Sequence, residues 1–456
     1  MTRDESMASS ASIRLSVSRG AQSVDDPSPP NGFKQTEIGS IPEEWEVANI
    51  GSLFDIQQGK AISARKRTGK SLRPFLRTAN VFWGRLDLST VDTMDFTDQE
   101  AEKLSLRIGD LLVCEGGDIG RTAMWRDEIE GCSHQNHVHR LRAKITNVEP
   151  MFYMYWMQAA MLLLRLYGGE GNKTTIPNLS KARLSTFQVP IPPLPEQRAI
   201  AHVLSKIQAA AEAQAAIAGR ARELKRALMA RLFTEGLRGE PLKETEIGPM
   251  PEGWEVAPLG DCVTQAQYGL SVRGEESGKY PILRMTNQQN GVIVPANLQH
   301  VNISENELAK FKVNRGELLF NRTNSMELVG RTAIFDLEED YVFASYLIRV
   351  AVIREKLEPH FLNFYLNDEN SQARLKGLAT RGVSQSNISA SRLRTFIIPV
   401  PSLDEQREIA RILQTVDAKI ASAERKRARL EELFRAMLGQ LMTGRVRAIR
   451  LPLEST

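Results

Sequence analysis

The chain has 456 residues, enough for two to three ordinary domains, and its 42% hydrophobic and 25% charged composition is that of a soluble globular protein, which excludes collagen-like, mucin-like and wholly disordered architectures. Against 55 Asp and Glu stand 59 Lys and Arg, a formal net charge of only +4, so affinity for nucleic acid has to come from where the bases sit. The three cysteines, Cys114, Cys132 and Cys262, are odd in number and sparse, which argues against a disulfide framework and for a reducing, cytoplasmic setting.

Residues 1–32 run through Ser, Arg, Asp and Pro without an apolar segment, so a disordered tail is expected there in place of a secretory signal, with Met7 an alternative start. A first domain is expected over 33–193. It opens on TEIGSIPEEWEV (36–47), in which Trp45 has the character of a core anchor. From Lys60 to Arg85 there are eight cations (Lys60, Arg65, Lys66, Arg67, Lys70, Arg73, Arg77, Arg85) and no carboxylate, with Phe75, Phe82 and Trp83 interleaved. That density is the local footprint of a phosphate-backbone contact, or else a solvated loop. Short apolar runs at Leu111 to Cys114 and Thr122 to Trp125 suggest strands. CSHQNHVHR then places Cys132, His134, His137 and His139 close together, open to three readings: a metal site, a strand whose polar edge faces a ligand, or a surface cluster. Pro150 to Tyr167 is apolar enough for a buried helix, but Arg165 and the following glycines make it too short for a membrane span. From Glu196 to Thr234 no proline interrupts a long helix (194–238 with its flanks), for which Gly236 is a natural stop.

The chain is then written a second time. TEIGPMPEGWEV at 245–256 repeats the opening block at nine of twelve positions, with Trp254 for Trp45. PVPSLDEQREIARIL at 399–413 repeats PIPPLPEQRAIAHVL at 190–204 at nine of fifteen, and both blocks are displaced by the same 209 residues. Between them Gly109-Asp110-Leu111-Leu112 answers Gly316-Glu317-Leu318-Leu319, Gly120-Arg121-Thr122-Ala123 answers Gly330-Arg331-Thr332-Ala333, and Asn178-Leu179-Ser180 answers Asn387-Ile388-Ser389. A second domain (239–402) with strands at Leu318 to Phe320 and Thr332 to Phe335 and a helix at Pro359 to Asn367 is therefore expected, followed by a second long helix (403–444) stopping at Gly444 and a tail (445–456).

The fold class implied is α+β: two tandem domains and two helices of about 40 residues, roughly 60 Å each. Leu413, Val416, Ile420, Ala423, Leu430, Phe434, Met437 and Leu441 keep a three-four spacing with Arg427 as the misfit. Ile200, Val203, Ile207, Ala210, Ile217, Ala221, Leu224 and Leu228 do so more weakly, interrupted at Gln214. Such helices need a partner, and the simplest is each other, antiparallel, as a spacer between the domains.

Catalytic signatures are missing. Arg67-Thr68-Gly69-Lys70-Ser71 imitates the end of a phosphate loop but has Ala64 where the motif wants glycine, and no G-x-S-x-G, H-E-x-x-H, paired C-x-x-C or dinucleotide glycine motif occurs. A self-contained nuclease and a purely protein-joining scaffold are the rival readings. What is present is divergence over a shared frame: the second copy is less basic in the region of the first copy's cationic stretch, but rich in amides. Arg pairs with guanine and Asn or Gln with adenine in the major groove, so two readers of unlike specificity would differ there. On composition, the candidate DNA contacts are Arg65, Lys66, Arg67, Lys70, Arg77, Asn80, Arg85, Gln135, Asn136, Asn172 and Lys173 in the first copy. In the second they are Arg284, Asn287, Gln288, Gln289, Arg322, Asn324 and Gln385.

The doubled P-x-P-x-L-x-E-Q-R-x-I-A-x-x-L block opening each long helix, with a W-E-V block opening each domain, resembles the specificity subunit of type I restriction-modification systems over about residues 33 to 444. The resemblance implies two target-recognition domains, each reading half of a bipartite duplex DNA site, and a helical spacer fixing the gap. It implies no chemistry and no cofactor in this chain. Methyltransferase subunits, two of them, would bind S-adenosylmethionine and methylate adenine N6, and restriction subunits would add ATP- and Mg-dependent translocation and cleavage. It places Glu196, Gln197, Arg198, Glu405, Gln406 and Arg407 in repeated scaffold regions, for methyltransferase contact or for capping and ion pairing at the helix starts.

Overall fold

The computed structural model describes residues 29–61, 71–167, 178–382 and 385–448. It forms two compact units, one from Met1–Ile207 with Leu433–Thr456 and the other from Gln208–Glu432. This differs from the segmentation above. Neither long helix is a domain of its own, because its ends are buried in different cores: Ile200 and Leu204 join the first with Leu438 and Leu441, while Met229, Leu232 and Phe233 join the second with Ile409 and Leu413. Of the expected tail, residues 449–456 lie outside the described residues. Ala448 is fully buried in the first core and Val446 packs against it. The expected leader lies outside the described residues up to position 28.

In the first unit, β1 (Phe54–Gln58), β2 (Leu111–Cys114), β3 (Thr122–Met124) and β4 (Val138–Ala143) form an antiparallel sheet in the order β3-β2-β4-β1. All four residues of β2 are buried, as expected of an unbroken apolar run that packs on both faces. Helix α1 (Pro150–Leu162) starts on a proline, capped by Glu149, and packs over β3. Phe54 meets Tyr153 edge-on at 5.3 Å. The helix stops before Tyr167, as Arg165 takes a left-handed φ of 52°. Tyr167 instead stacks on Phe187 at 3.8 Å and donates its hydroxyl to the Gln188 carbonyl. Trp45 is completely buried, as a core anchor should be.

Helix α2 (Leu194–Glu235) leads into the second unit. There β5 (Val263–Tyr268), β6 (Leu318–Asn321), β7 (Thr332–Ile334) and β8 (Leu347–Val352) repeat the order β7-β6-β8-β5 inside a six-stranded sheet, with α3 (Pro359–Asn367) packed over β7. The second long helix, α4 (Leu403–Met442), follows. Within this unit Lys225 Nζ lies 2.7 Å from both Asp417 carboxylate oxygens, and Arg222 pairs with Glu424. Contacts that advance along α2 retreat along α4, so the helices run antiparallel. The helices stop at Gly236 and Gly444, which adopt φ of 64° and 68°.

Along α2 the expected Ile200 and Ala221 are buried, but not every expected seam position is. Ala211, Ala218 and Ala221 are buried, whereas Ile217 and Leu224 stand out at 38% and 53% exposure. In the middle of α2 the buried positions are thus small residues, and the larger residues beside them stand open to solvent. Among the described residues no helix is long and apolar enough to cross a membrane.

Candidate nucleic-acid interface

Each unit presents a cluster of loops at one end of its sheet, built on the same backbone frame. In the first, the chain leaves β1 at Gly59, where a Cβ would lie 2.2 Å from the His134 carbonyl oxygen. Gly269 after β5 sits equally close, 2.2 Å, to the Phe343 oxygen. Only glycine permits that approach. Beyond it Asn136 N donates to Lys60 O (3.0 Å), Glu115 N to His137 O (2.9 Å) and Leu179 N to Glu115 O (2.9 Å). The second unit makes the same bonds from Ser345 N to Leu270 O (2.8 Å), Arg322 N to Tyr346 O (3.0 Å) and Ile388 N to Arg322 O (2.9 Å).

The side chains on this frame differ. The first unit carries Gln58, Glu115 and His137: Gln58 Nε2 donates to Glu115 Oε2 (3.3 Å) and to Asn136 O (3.1 Å), and the half-exposed His137 ring lies 3.5 Å from the buried Glu115 carboxylate. The corresponding residues of the second are Tyr268, Arg322 and Tyr346. The Arg322 guanidinium lies over the Tyr268 ring at 4.6 Å and donates to Ser345 O at 3.2 Å. A carboxylate with an imidazole therefore stands where the other unit has a guanidinium stacked on a tyrosine. The first set can accept from a base amino group and the second can donate to guanine O6 and N7.

The residues chosen from composition fall into distinct places. Gln135 and Asn136 lie in the turn beside His137, and Arg322 and Asn324 lie at the matching cluster, where the Asn324 strand pairs with the residue following Gln385. Arg85 is exposed and stacks on Phe82 at 4.5 Å. Arg77 pairs with Asp92 at 3.4 Å, and Arg284 donates to Asn297 O at 2.9 Å. Asn80 and Asn287 turn inward, which corrects their assignment as base readers. Asn80 Oδ1 accepts from Arg77 N, and its amide donates to Asp87 O (2.9 Å) and Thr90 O (2.8 Å). Asn287 repeats the knot with Arg284 N, Val294 O (3.1 Å) and Ala296 O (2.9 Å), and is 1% exposed. Gln288 donates to Leu319 O at 2.6 Å and lines a groove separate from the one beside Arg284, while the neighbouring Gln289 is exposed. Arg65, Lys66, Arg67, Lys70, Asn172 and Lys173 lie outside the described residues.

Composition alone missed Gln58, Glu115, Tyr268 and Tyr346. The signal was available: Glu115 and Arg322 stand three positions after the repeated Leu-Leu pairs of 111–112 and 318–319, where the two copies stop agreeing.

The cysteine and histidines of CSHQNHVHR do not converge, and no metal-holding group occurs among the described residues. His134 is fully buried, its Nδ1 3.2 Å from Leu104 O and its Nε2 3.1 Å from Gln57 O, and burial pushes its pKa down to about 4. Burial drives the Cys132 thiol up to about 12. His139 Nε2 faces Leu179 O at 2.8 Å. Only His137 of the four reaches the surface.

At the helix starts, Glu196, Gln197, Glu405 and Gln406 are committed to intramolecular bonds, which leaves their side chains no surface for a partner. Glu196 accepts from Trp45 Nε1 (3.0 Å) and is gripped by the Arg447 guanidinium (2.7 and 2.8 Å), while Glu405 accepts from Leu237 N (3.0 Å). Gln197 donates to Pro192 O and accepts from Glu149 N; Gln406 does the same with Pro401 O and Glu358 N. Arg198 and Arg407 remain exposed.

A family model described as the type I restriction modification DNA specificity domain matches residues 42–218 and 251–432. The type I restriction enzyme MjaVIII specificity subunit of Methanocaldococcus jannaschii is 24% identical over 433 residues, covering 92% of this chain and 97% of that one. Identity rises to 31% over 207 residues with the MjaX protein of the same archaeon, a match spanning 45% of this chain and only 49% of that relative's length. Among solved structures, the S subunit of a type I restriction-modification system from M. genitalium shares the fold, with a TM-score of 0.57 at 16% identity over 87% of this chain and 96% of that one.

Proposed function

This chain belongs to the type I restriction modification DNA specificity family, as a DNA-recognising and non-catalytic component, and from that premise we propose that its two units read the two halves of a bipartite duplex target. The observation that carries the reading is the shared backbone frame with exchanged side chains, Gln58, Glu115 and His137 against Tyr268, Arg322 and Tyr346. A purely structural repeat has no reason to swap a carboxylate for a guanidinium at one place on one frame. The chain directs partners that do the chemistry: two methyltransferase subunits, which bind S-adenosylmethionine and methylate adenine N6, and restriction subunits with ATP and Mg for translocation and cleavage. The uninterrupted helices of 42 and 40 residues set the spacing between half-sites. The exposed Arg198 and Arg407 are the members of the doubled helix-start blocks left for partner contact.

The test is to map methylated adenines in cells carrying the system with the wild-type chain, with Arg322→Ala or with His137→Ala. Each variant relaxes the consensus in a different half, by about 1–3 kcal/mol for a lost bidentate contact at Arg322. Relaxation of both halves by either variant refutes the two-reader assignment.

A further inference from the structure

We propose that the groove beside β5 in the second unit seats a thymine 5-methyl group, read by Val272 and Tyr346; this rests on the DNA-recognition reading above. The groove, 530 Å³ in volume, is bounded by the 271–274 loop, by Met285 and Thr286, and by the turn that ends in Tyr346. Its floor is closed by the buried Leu270 and Ile282. On its rim Val272 and Tyr346 are 46% and 48% exposed, although both carry large apolar surface. Arg273 and Arg284 line the same groove, and Arg322 is tied to its turn through Ser345.

Two physical facts choose the occupant. Cations grouped around a groove favour a polyanion, because neutralising phosphates releases counterions. Exposed apolar surface within that ring stays unfavourably hydrated until an apolar group covers it. On the major-groove edge of a duplex the one apolar group is the thymine 5-methyl; the other features are donors and acceptors, which Val272 cannot satisfy. In the first unit the turn position of Tyr346 is held by His137, so methyl reading belongs to one half-site.

The experiment uses the full chain and a duplex pool with a randomised target region, prepared once with thymidine and once with deoxyuridine, which lacks only the methyl. Captured duplexes are sequenced across a salt series. The thymidine pool is expected to show thymine enriched at a position within one half-site, and that enrichment to fall about fourfold in the deoxyuridine pool, the worth of burying one methyl-sized group. Val272→Ala is expected to remove most of the difference between pools without changing the other half-site, and Tyr346→Ala to weaken it. Salt-sensitive capture with the same consensus from both pools overturns the methyl site while leaving DNA recognition standing. No capture from either pool at low salt overturns both.

Discussion

Asn287 shows how one residue type serves two opposite purposes. An amide in a DNA-binding chain suggests an adenine contact, yet here its carbonyl oxygen and both amide hydrogens are consumed by the turn it closes, as they are at Asn80. Asn287→Ala is therefore expected to cost about 2 kcal/mol of stability, since the buried backbone groups lose their partners, and to leave the consensus of the folded fraction unchanged. Denaturant unfolding together with sequencing of bound DNA separates the two effects. His134 gives a second residue-scale prediction. Its folded pKa of about 4 lies below the ordinary 6.5, so on acidification the unfolded chain takes up the proton first and stability is lost as pH falls from 6.5 toward 4. The loss amounts to roughly 2 kcal/mol by pH 5. His134→Phe, the residue the second copy carries as Phe343, should flatten the unfolding curve over that window; an unchanged slope would show that another group dominates the acid response.

At the scale of elements, the charge contacts between the two helices contribute little to stability. The ion pairs Arg222 with Glu424 and Lys225 with Asp417 are partly exposed, and surface pairs are worth about 0–1 kcal/mol. Ala218 is buried at 2% exposure, while Leu224 at 53% is open to solvent. Ala218→Leu should destabilise by about 1–3 kcal/mol through overpacking, and Leu224→Ala should change stability by no more than about 0.5 kcal/mol. The sequence reading of the three-four spacing predicts the reverse order, so thermal unfolding of the two variants tests the observed seam. Where α2 begins, the fully buried Glu196 is held by Trp45 and Arg447, so a residue beyond the end of α4 closes the first unit. A sequence pattern has no means of indicating such a bond between residues 251 positions apart.

For the whole molecule, a net charge of +4 supplies little long-range attraction, and binding has to come from the cations at the loop clusters. DNA affinity is expected to fall on the order of a thousandfold between 50 and 200 mM salt if about six phosphates are contacted. Arg273→Gln is expected to reduce the slope of log affinity against log salt by about one without changing the consensus. A titration by fluorescence anisotropy reads both quantities, and affinity independent of salt would contradict a phosphate-bound complex.

By itself the sequence determined the duplication, the α+β class, the two long helices with their glycine stops, the buried tryptophans and the inner strands Leu111–Cys114 and Leu318–Asn321. Each of these is a local or periodic signal, an apolar run, a missing proline or a repeated block, and such signals are carried by neighbours along the chain. Tertiary structure alone decided which alanines of α2 are buried, that Glu196, Gln197, Glu405 and Gln406 are sealed into the fold, and that Asn80 and Asn287 turn inward while Gln58, Glu115 and His137 come together in one unit and Tyr268, Arg322 and Tyr346 in the other. Those outcomes depend on hydrogen bonds and packing between segments far apart in the chain. A polar residue type names the bonds a side chain can make, and only the surrounding fold decides whether they are spent inside or left for a ligand.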